Sequence, residues 1–275
     1  MQSNLKDQLK KALDTEYFGD LQLLKDDILG IIETLDEQSE APTSQEKSTP
    51  KGDVLINMDN VTRRYKVGNS FVDAVKDINL TIYEGEFLSI CGPSGSGKST
   101  LLNLIGGLDK PTEGTVTVSG QNIGKLNDKE LSRYRNDTIG FIFQFFYLQP
   151  YLNILQNTEI PLIFRKAERK QREALARKAI EQVKLTARIQ HLPKELSGGE
   201  TQRVGISRAI VGQPKIILAD EPSANLDRKN ANEIVKLLRD INQQYGSCII
   251  IVTHDELIAS QTDRIINILD GEIAA

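Results

Sequence analysis

Gly92-Pro93-Ser94-Gly95-Ser96-Gly97-Lys98-Ser99 decides the fold. It matches the phosphate-loop pattern G-x-x-x-x-G-K-S. The apolar stretch Glu86-Phe87-Leu88-Ser89-Ile90-Cys91 before it reads as a strand, and the apolar run 99–108 after it reads as a helix. That setting separates a phosphate cradle from a Gly/Ser-rich turn. The glycines let the backbone curl so that N–H groups converge on phosphate oxygens at the positive end of the helix. Lys98 is expected to reach the β- and γ-phosphates, and Ser99 to ligate Mg²⁺ through its hydroxyl. The candidate binding set is Gly92, Pro93, Ser94, Gly95, Ser96, Gly97, Lys98, Ser99 and Thr100.

Downstream, Ile216-Ile217-Leu218-Ala219-Asp220-Glu221 is an apolar strand that ends in two carboxylates. Alone, such a pair is a solvated turn. With a phosphate loop in the same chain, Asp220 becomes the candidate Mg²⁺ holder and Glu221 the candidate general base for an attacking water. Between the two lies Leu196-Ser197-Gly198-Gly199-Glu200, expected to open a helix through Arg203 to Val211. The free N–H groups and dipole of its first turn suit an anion.

Further strands are expected at 54–59, 78–82, 139–143 and 248–252, and a strand pair at 114–123. Asn127-Asp128-Lys129-Glu130 has capping-box spacing and should start a short helix reaching about Arg135. Residues 165–185 read as a charge-laced helix, and a helix from about Asp227 should stop at Gly246. Strand-helix alternation makes the body α/β with a largely parallel sheet. The early hairpins form an antiparallel part, and 145–198 read as a helical insertion. The basic residues of 165–178 are expected on a solvated face. Cys91 and Cys248 lie in apolar strands without metal spacing and read as buried reduced thiols.

Six elements in order resemble the ATP-binding subunit of ABC transporters over residues 54–275. They are Tyr65, the loop 92–99, Gln144, Ser197 to Glu200 within LSGGE, Asp220-Glu221 with Ser223-Ala224-Asn225-Leu226-Asp227, and Thr253-His254-Asp255. The resemblance implies a P-loop ABC ATPase fold and ATP as the nucleotide. It implies that Ser197, Gly198, Gly199 and Glu200 meet the γ-phosphate held by a second, head-to-tail copy. It gives Gln144 to Mg²⁺ and water, His254 to the γ-phosphate, and Asp227 to the loop joining the two sites. The catalytic set is then Glu221, His254, Gln144 and Lys98, and the metal set Ser99, Gln144 and Asp220. Tyr65 is either packing or an aromatic stacked on adenine. Phe141, Phe143, Phe145, Phe146 and Phe164, with Tyr147 and Tyr151, form helical-subdomain core, an apolar groove for a membrane permease's cytoplasmic helix, or some of each.

Phe71-Val72-Asp73-Ala74-Val75-Lys76-Asp77 and Gly106-Gly107-Leu108-Asp109-Lys110-Pro111-Thr112-Glu113-Gly114 resemble the MacB/LolD/FtsE-type branch. That branch implies a separate permease and a peripheral place on the cytoplasmic membrane face. Within it, the subunit powers export, lipoprotein or peptide handling, or mechanical work. An FtsE-like regulator that signals rather than transports is the alternative. A soluble ABC protein of translation or DNA repair, and a non-hydrolysing binding module, are the further rivals. Glu200 replaces the commoner Gln, Thr201 stands where Gln or Arg is frequent, and Ala224 replaces a usual Gly.

The chain has 275 residues and a net charge of −4. Residues 1–40 hold four lysines against ten carboxylates, a balance of −6, which leaves the rest at about +2. No basic stripe for nucleic acid is expected from that distribution. No secretory leader and no apolar run of membrane-spanning length is read. Within the acidic extension 1–37, Leu21, Leu24, Ile28, Ile31 and Leu35 recur at helical spacing, which fits an amphipathic helix packed on its own body or a neighbour, or a partner-docking element. Residues 38–52 read as a flexible linker before an ATP-binding domain over 53–275.

Overall fold

The computed structural model describes residues 52–274. The extension 1–37, and the linker 38–52 apart from Gly52, lie outside the described residues. The first sheet is antiparallel, with strand order β2-β1-β4-β5. Its strands are β1 (Val54–Val67), β2 (Ser70–Tyr83), β4 (Glu113–Val118) and β5 (Gln121–Asn122). β1 and β2 run well beyond the expected 54–59 and 78–82. Register shifts between Met58 and Arg64 break the alternation in β1, and the first half of β2 is largely exposed. Neither stretch therefore shows the two-residue period that marks a half-buried strand.

The second sheet has the order β10-β9-β3-β8-β7-β6. β3 (Phe87–Cys91), β6 (Ile139–Ile142), β7 (Ile216–Asp220), β8 (Cys248–Thr253) and β9 (Arg264–Leu269) are parallel; the short β10 (Glu272–Ile273) is antiparallel. β7 and β8 are near-continuous apolar runs because both faces are covered. Ile216, Leu218, Cys248, Ile250 and Val252 face the core shared with the antiparallel sheet and with α1 (Lys98–Ile105) and α2 (Asp128–Thr138). Ile217, Ala219, Ile249 and Ile251 face a second core. That core is built by α3 (Ile154–Phe164), α4 (Arg169–Gln182), α5 (Gly198–Ile210) and α6 (Arg228–Tyr245). A short α7 (Glu256–Ala259) follows β8. The expected boundary signals appear at α2, where Asn127 and Glu130 cap each other, and at Gly246, which ends α6 in the left-handed conformation with φ 66°.

Strand register sets the site. Cys91 lies beside Thr253, Val252 beside Asp220, and Ala219 beside Ile142. Gly92, His254, Glu221 and Gln144 therefore leave the sheet along one edge, at the carboxyl ends of its strands. Open α/β sheets bind ligands at that edge.

Candidate functional site

Residues 92–97 form the turn between β3 and α1. Gly97 has φ 102°, and a Cβ there would collide with the Ala74 carbonyl, so both the backbone angle and the close approach require glycine. No side chain caps α1, so the N–H groups of its first turn are left for a ligand. They border a cavity of about 660 Å³. It is lined by 93–95 and 97–100 of the loop, by Ala74, and by Gln144, Asp220, Glu221 and His254. Gly92 and Ser96 stand behind this lining, and the buried Ser96 hydroxyl has no protein partner. Lys98 is 7% exposed. Its ammonium donates to the carbonyls of Gly92 at 2.8 Å and Pro93 at 2.7 Å, arching over the loop.

The Ser99 hydroxyl donates to Asp220 Oδ1 at 3.1 Å. Burial pushes the Asp220 carboxyl up from its ordinary range, and the Ser99 hydrogen bond opposes that shift. The Ser99 hydroxyl, the Asp220 carboxylate and Gln144, whose side chain is an amide, all line this cavity and offer hard oxygen donors. This is a donor set that fits Mg²⁺, which takes few protein ligands and completes its shell with phosphate oxygens and water.

Glu221 follows Asp220 with φ 47°, a left-handed angle for a non-glycine residue. Its N–H donates to the Val252 carbonyl at 2.9 Å, which holds the turn against β8. Its Oε1 lies 2.7 Å from His254 Nδ1. Asn225, in the loop between β7 and α6, donates to the Gln144 carbonyl at 3.1 Å. Asp227 caps α6, accepting from Asn230 N at 2.9 Å.

Ser197 caps α5 in a reciprocal box. Glu200 N donates to Ser197 Oγ at 3.3 Å, and Glu200 Oε2 accepts from Ser197 N at 2.8 Å. Arg188 pairs with the same carboxylate at 3.4 Å. None of Ser197, Gly198, Gly199 or Glu200 lines the phosphate cavity of its own chain. Tyr65 is also outside that lining; its hydroxyl donates to Asp109 at 2.5 Å.

A larger cavity of about 1150 Å³ lies between α2, β6, α3 and α5. Phe141, Phe143, Pro161 and Phe164 give it an apolar wall, and the Phe141 and Phe143 rings stack at 5.3 Å. Arg133, Arg135, Arg165, Lys166 and Arg208 also line it. Arg165 departs from the expected solvated face: its guanidinium donates to the carbonyls of Asn136 and Gly212. Arg172 departs too, pairing with the largely buried Glu159. Arg208 was not singled out by the sequence. From the last turn of α5 it donates to the carbonyls of Phe146 and Tyr147, each at 2.7 Å.

The family model described as ABC transporter matches residues 75–224. The lipoprotein-releasing system ATP-binding protein LolD of Geobacter metallireducens is 43% identical over 221 residues, covering 80% of this chain and 98% of LolD. The macrolide export ATP-binding/permease protein MacB of Salmonella typhimurium is 45% identical over 219 residues, covering 80% of this chain and 34% of MacB. The ATP-binding cassette MJ0796 has been solved as a dimer in a post-hydrolysis state bound to ADP and Pi. That structure matches with a TM-score of 0.75 at 45% identity, covering 80% of this chain and 97% of that one.

Proposed function

The chain belongs to the ABC transporter family of ATP-binding proteins, and from that premise we propose that it is the Mg²⁺-dependent ATPase subunit of a membrane complex with a separate permease. The observation that carries this reading is the sheet register, which brings the phosphate loop, Asp220, Glu221, His254 and Gln144 to one 660 Å³ cavity. The loop N–H groups and Lys98 would hold the triphosphate and neutralise the charge that develops on it. Ser99, Asp220 and Gln144 would hold Mg²⁺, which would supply neutralisation of the phosphate charge.

His254 anchors Glu221 through Oε1, and Oε2, which accepts only a long bond of 3.5 Å from the Thr253 hydroxyl, would take the water. Glu221 accepts a proton from that water as its oxygen bonds to the γ-phosphorus, and ADP leaves with the electrons of the broken bond. The uncapped Gly198 and Gly199 N–H groups would face the γ-phosphate of a second, identical chain arranged head to tail, with Tyr65 stacking on adenine. The dimeric MJ0796 cassette supports two-chain assembly.

Among the described residues, no helix is long and apolar enough to cross a membrane. Membrane association would come through the permease, at the cytoplasmic face, with a permease helix in the aromatic groove beside Phe141 and Phe164. Glu221→Gln tests the chemistry. Single-turnover hydrolysis should fall roughly 10²–10⁴-fold while ATP binding persists. Wild-type turnover in that variant would remove Glu221 from the role of base.

A further inference from the structure

One carboxylate in the stretch 106–114, Asp109, ties three groups together. Asp109 Oδ2 accepts from the Tyr65 hydroxyl at 2.5 Å and from Arg63 Nε at 2.8 Å. Its Oδ1 lies 2.8 Å from the second Arg63 donor nitrogen and accepts from Lys110 N at 2.7 Å. Arg63 and Tyr65, both on β1, meet at this one carboxylate, which puts their side chains on the same side of the strand. The Arg63 guanidinium lies 4.5 Å from the centre of the Tyr65 ring, covering one side of it. The neighbouring Arg64 points the other way and pairs with Asp73, an exposed contact.

Two further features connect this cluster to the elements around the phosphate loop. The Asp109 N–H donates to the carbonyl of Asn103 in α1, the helix whose first turn cradles phosphate. Tyr65 is in register with Val72, and Ala74, two residues along β2, lines the phosphate cavity. β2 thus runs from the residue paired with Tyr65 to the cavity wall within two residues.

We infer that Asp109 is the positioning residue of the base platform, fixing the Tyr65 ring, with Arg63 on one face, at a set distance from the phosphate loop. The inference rests on the reading of Tyr65 as the adenine-stacking residue. Arg63 occupies one face, so the purine takes the opposite face. Stacking on an aromatic already polarised by a cation favours the electron-rich base. Bidentate pairing to a carboxylate fixes the guanidinium plane as well as its charge, and the tyrosine hydroxyl bond fixes where the outer end of the ring lies.

The test compares ATP hydrolysis by the full chain with competitive inhibition by inorganic tripolyphosphate, which reads the phosphate cavity without a base. Losing a whole stack weakens binding roughly 5- to 150-fold, so Asp109→Ala should raise the ATP KM about 3- to 10-fold. Its kcat and its inhibition constant for tripolyphosphate should stay within twofold of wild type. Asp109→Glu should recover part of the loss. Tyr65→Phe, which keeps the ring and removes only the anchor, should shift KM in the same direction by less, and it keeps the inference testable should Asp109→Ala fold poorly. Tyr65→Ala is the control for the underlying reading. An unchanged KM there overturns the base platform itself. A raised KM in Tyr65→Ala beside unchanged values in Asp109→Ala and Tyr65→Phe overturns the positioning role alone. A parallel rise in the tripolyphosphate constant would place the effect in the phosphate loop and also overturn it.

Discussion

Two glycine-rich helix starts, α1 and α5, share the same local physics and differ in what surrounds them. α1 begins at the phosphate loop with no side-chain cap and no acidic residue in its first turn, and its own chain supplies Lys98, Asp220, Glu221 and His254 around it. α5 begins at Ser197 with a complete capping box and Glu200 in its first turn, and no part of that turn borders the phosphate cavity. A helix N-terminus attracts anions in either case. Only α1 is accompanied in its own chain by the Lys98 ammonium, the Asp220 and Glu221 carboxylates and the His254 imidazole. The contrast teaches that α1 has its partners in its own chain while the first turn of α5 borders no part of that cavity, as the proposed half of a shared site requires.

The largest effect expected from breaking this contrast is at the complete end. Lys98→Met removes the ammonium that arches over the loop from Gly92 and Pro93. Hydrolysis should fall roughly 10²–10³-fold, the usual loss when one aligned electrostatic donor is removed. ATP affinity should weaken in the same preparation, measured by equilibrium titration. Unaltered affinity would mean that the loop N–H groups hold the phosphates without it.

The isolated end should behave differently. A Cβ at Gly198 meets nothing nearer than Leu226 at 3.7 Å, so Gly198→Asp leaves the fold intact while placing a carboxylate at the helix start. Repulsion of a facing phosphate should reduce hydrolysis roughly 10- to 100-fold. ATP binding by the dilute single chain should be unchanged, because its own cavity is untouched. Equal losses in binding and hydrolysis would break the half-site reading, and so would a wild-type rate.

Legibility followed locality. The phosphate loop, the Asp220-Glu221 strand end, the Asn127 capping box and the Gly246 stop are each written within a few consecutive residues, and each was readable. The pairings of Arg208 and Asp109 are not. The first looks like any charge near a helix end, and its partners at 146 and 147 lie some 60 residues away. The second joins residues 44 and 46 positions distant, and one chain gives no signal for such a pairing. β9 escaped because Arg264 and Asn267 interrupt its apolar run, and exposed Ile265 and Leu269 blur its alternation. Arg165 and Arg172 were misjudged for the same reason: charge on a helix predicts solvent until a neighbouring carbonyl or carboxylate claims it.

The smallest effect sharpens the comparison from the side of the cap. Glu200 replaces a commoner glutamine, and its carboxyl is held below the ordinary range, chiefly by the Ser197 backbone N–H, with smaller help from the Ser197 hydroxyl and Arg188. A carboxyl with a depressed native pKa adds stability above its unfolded value of about 4.3, and that stability is lost as pH falls through the native value. Glu200→Gln keeps the capping geometry and removes only the charge. Wild type should therefore melt slightly above the variant at pH 7, by well under 1 kcal/mol because the carboxylate is solvent-screened, or about 1 °C. The gap should close as the pH is lowered below 4. A gap that persists in acid would mean that α5 owes its start to the shape of the residue at 200, and that the charge next to Gly198 and Gly199 contributes nothing to the helix it caps.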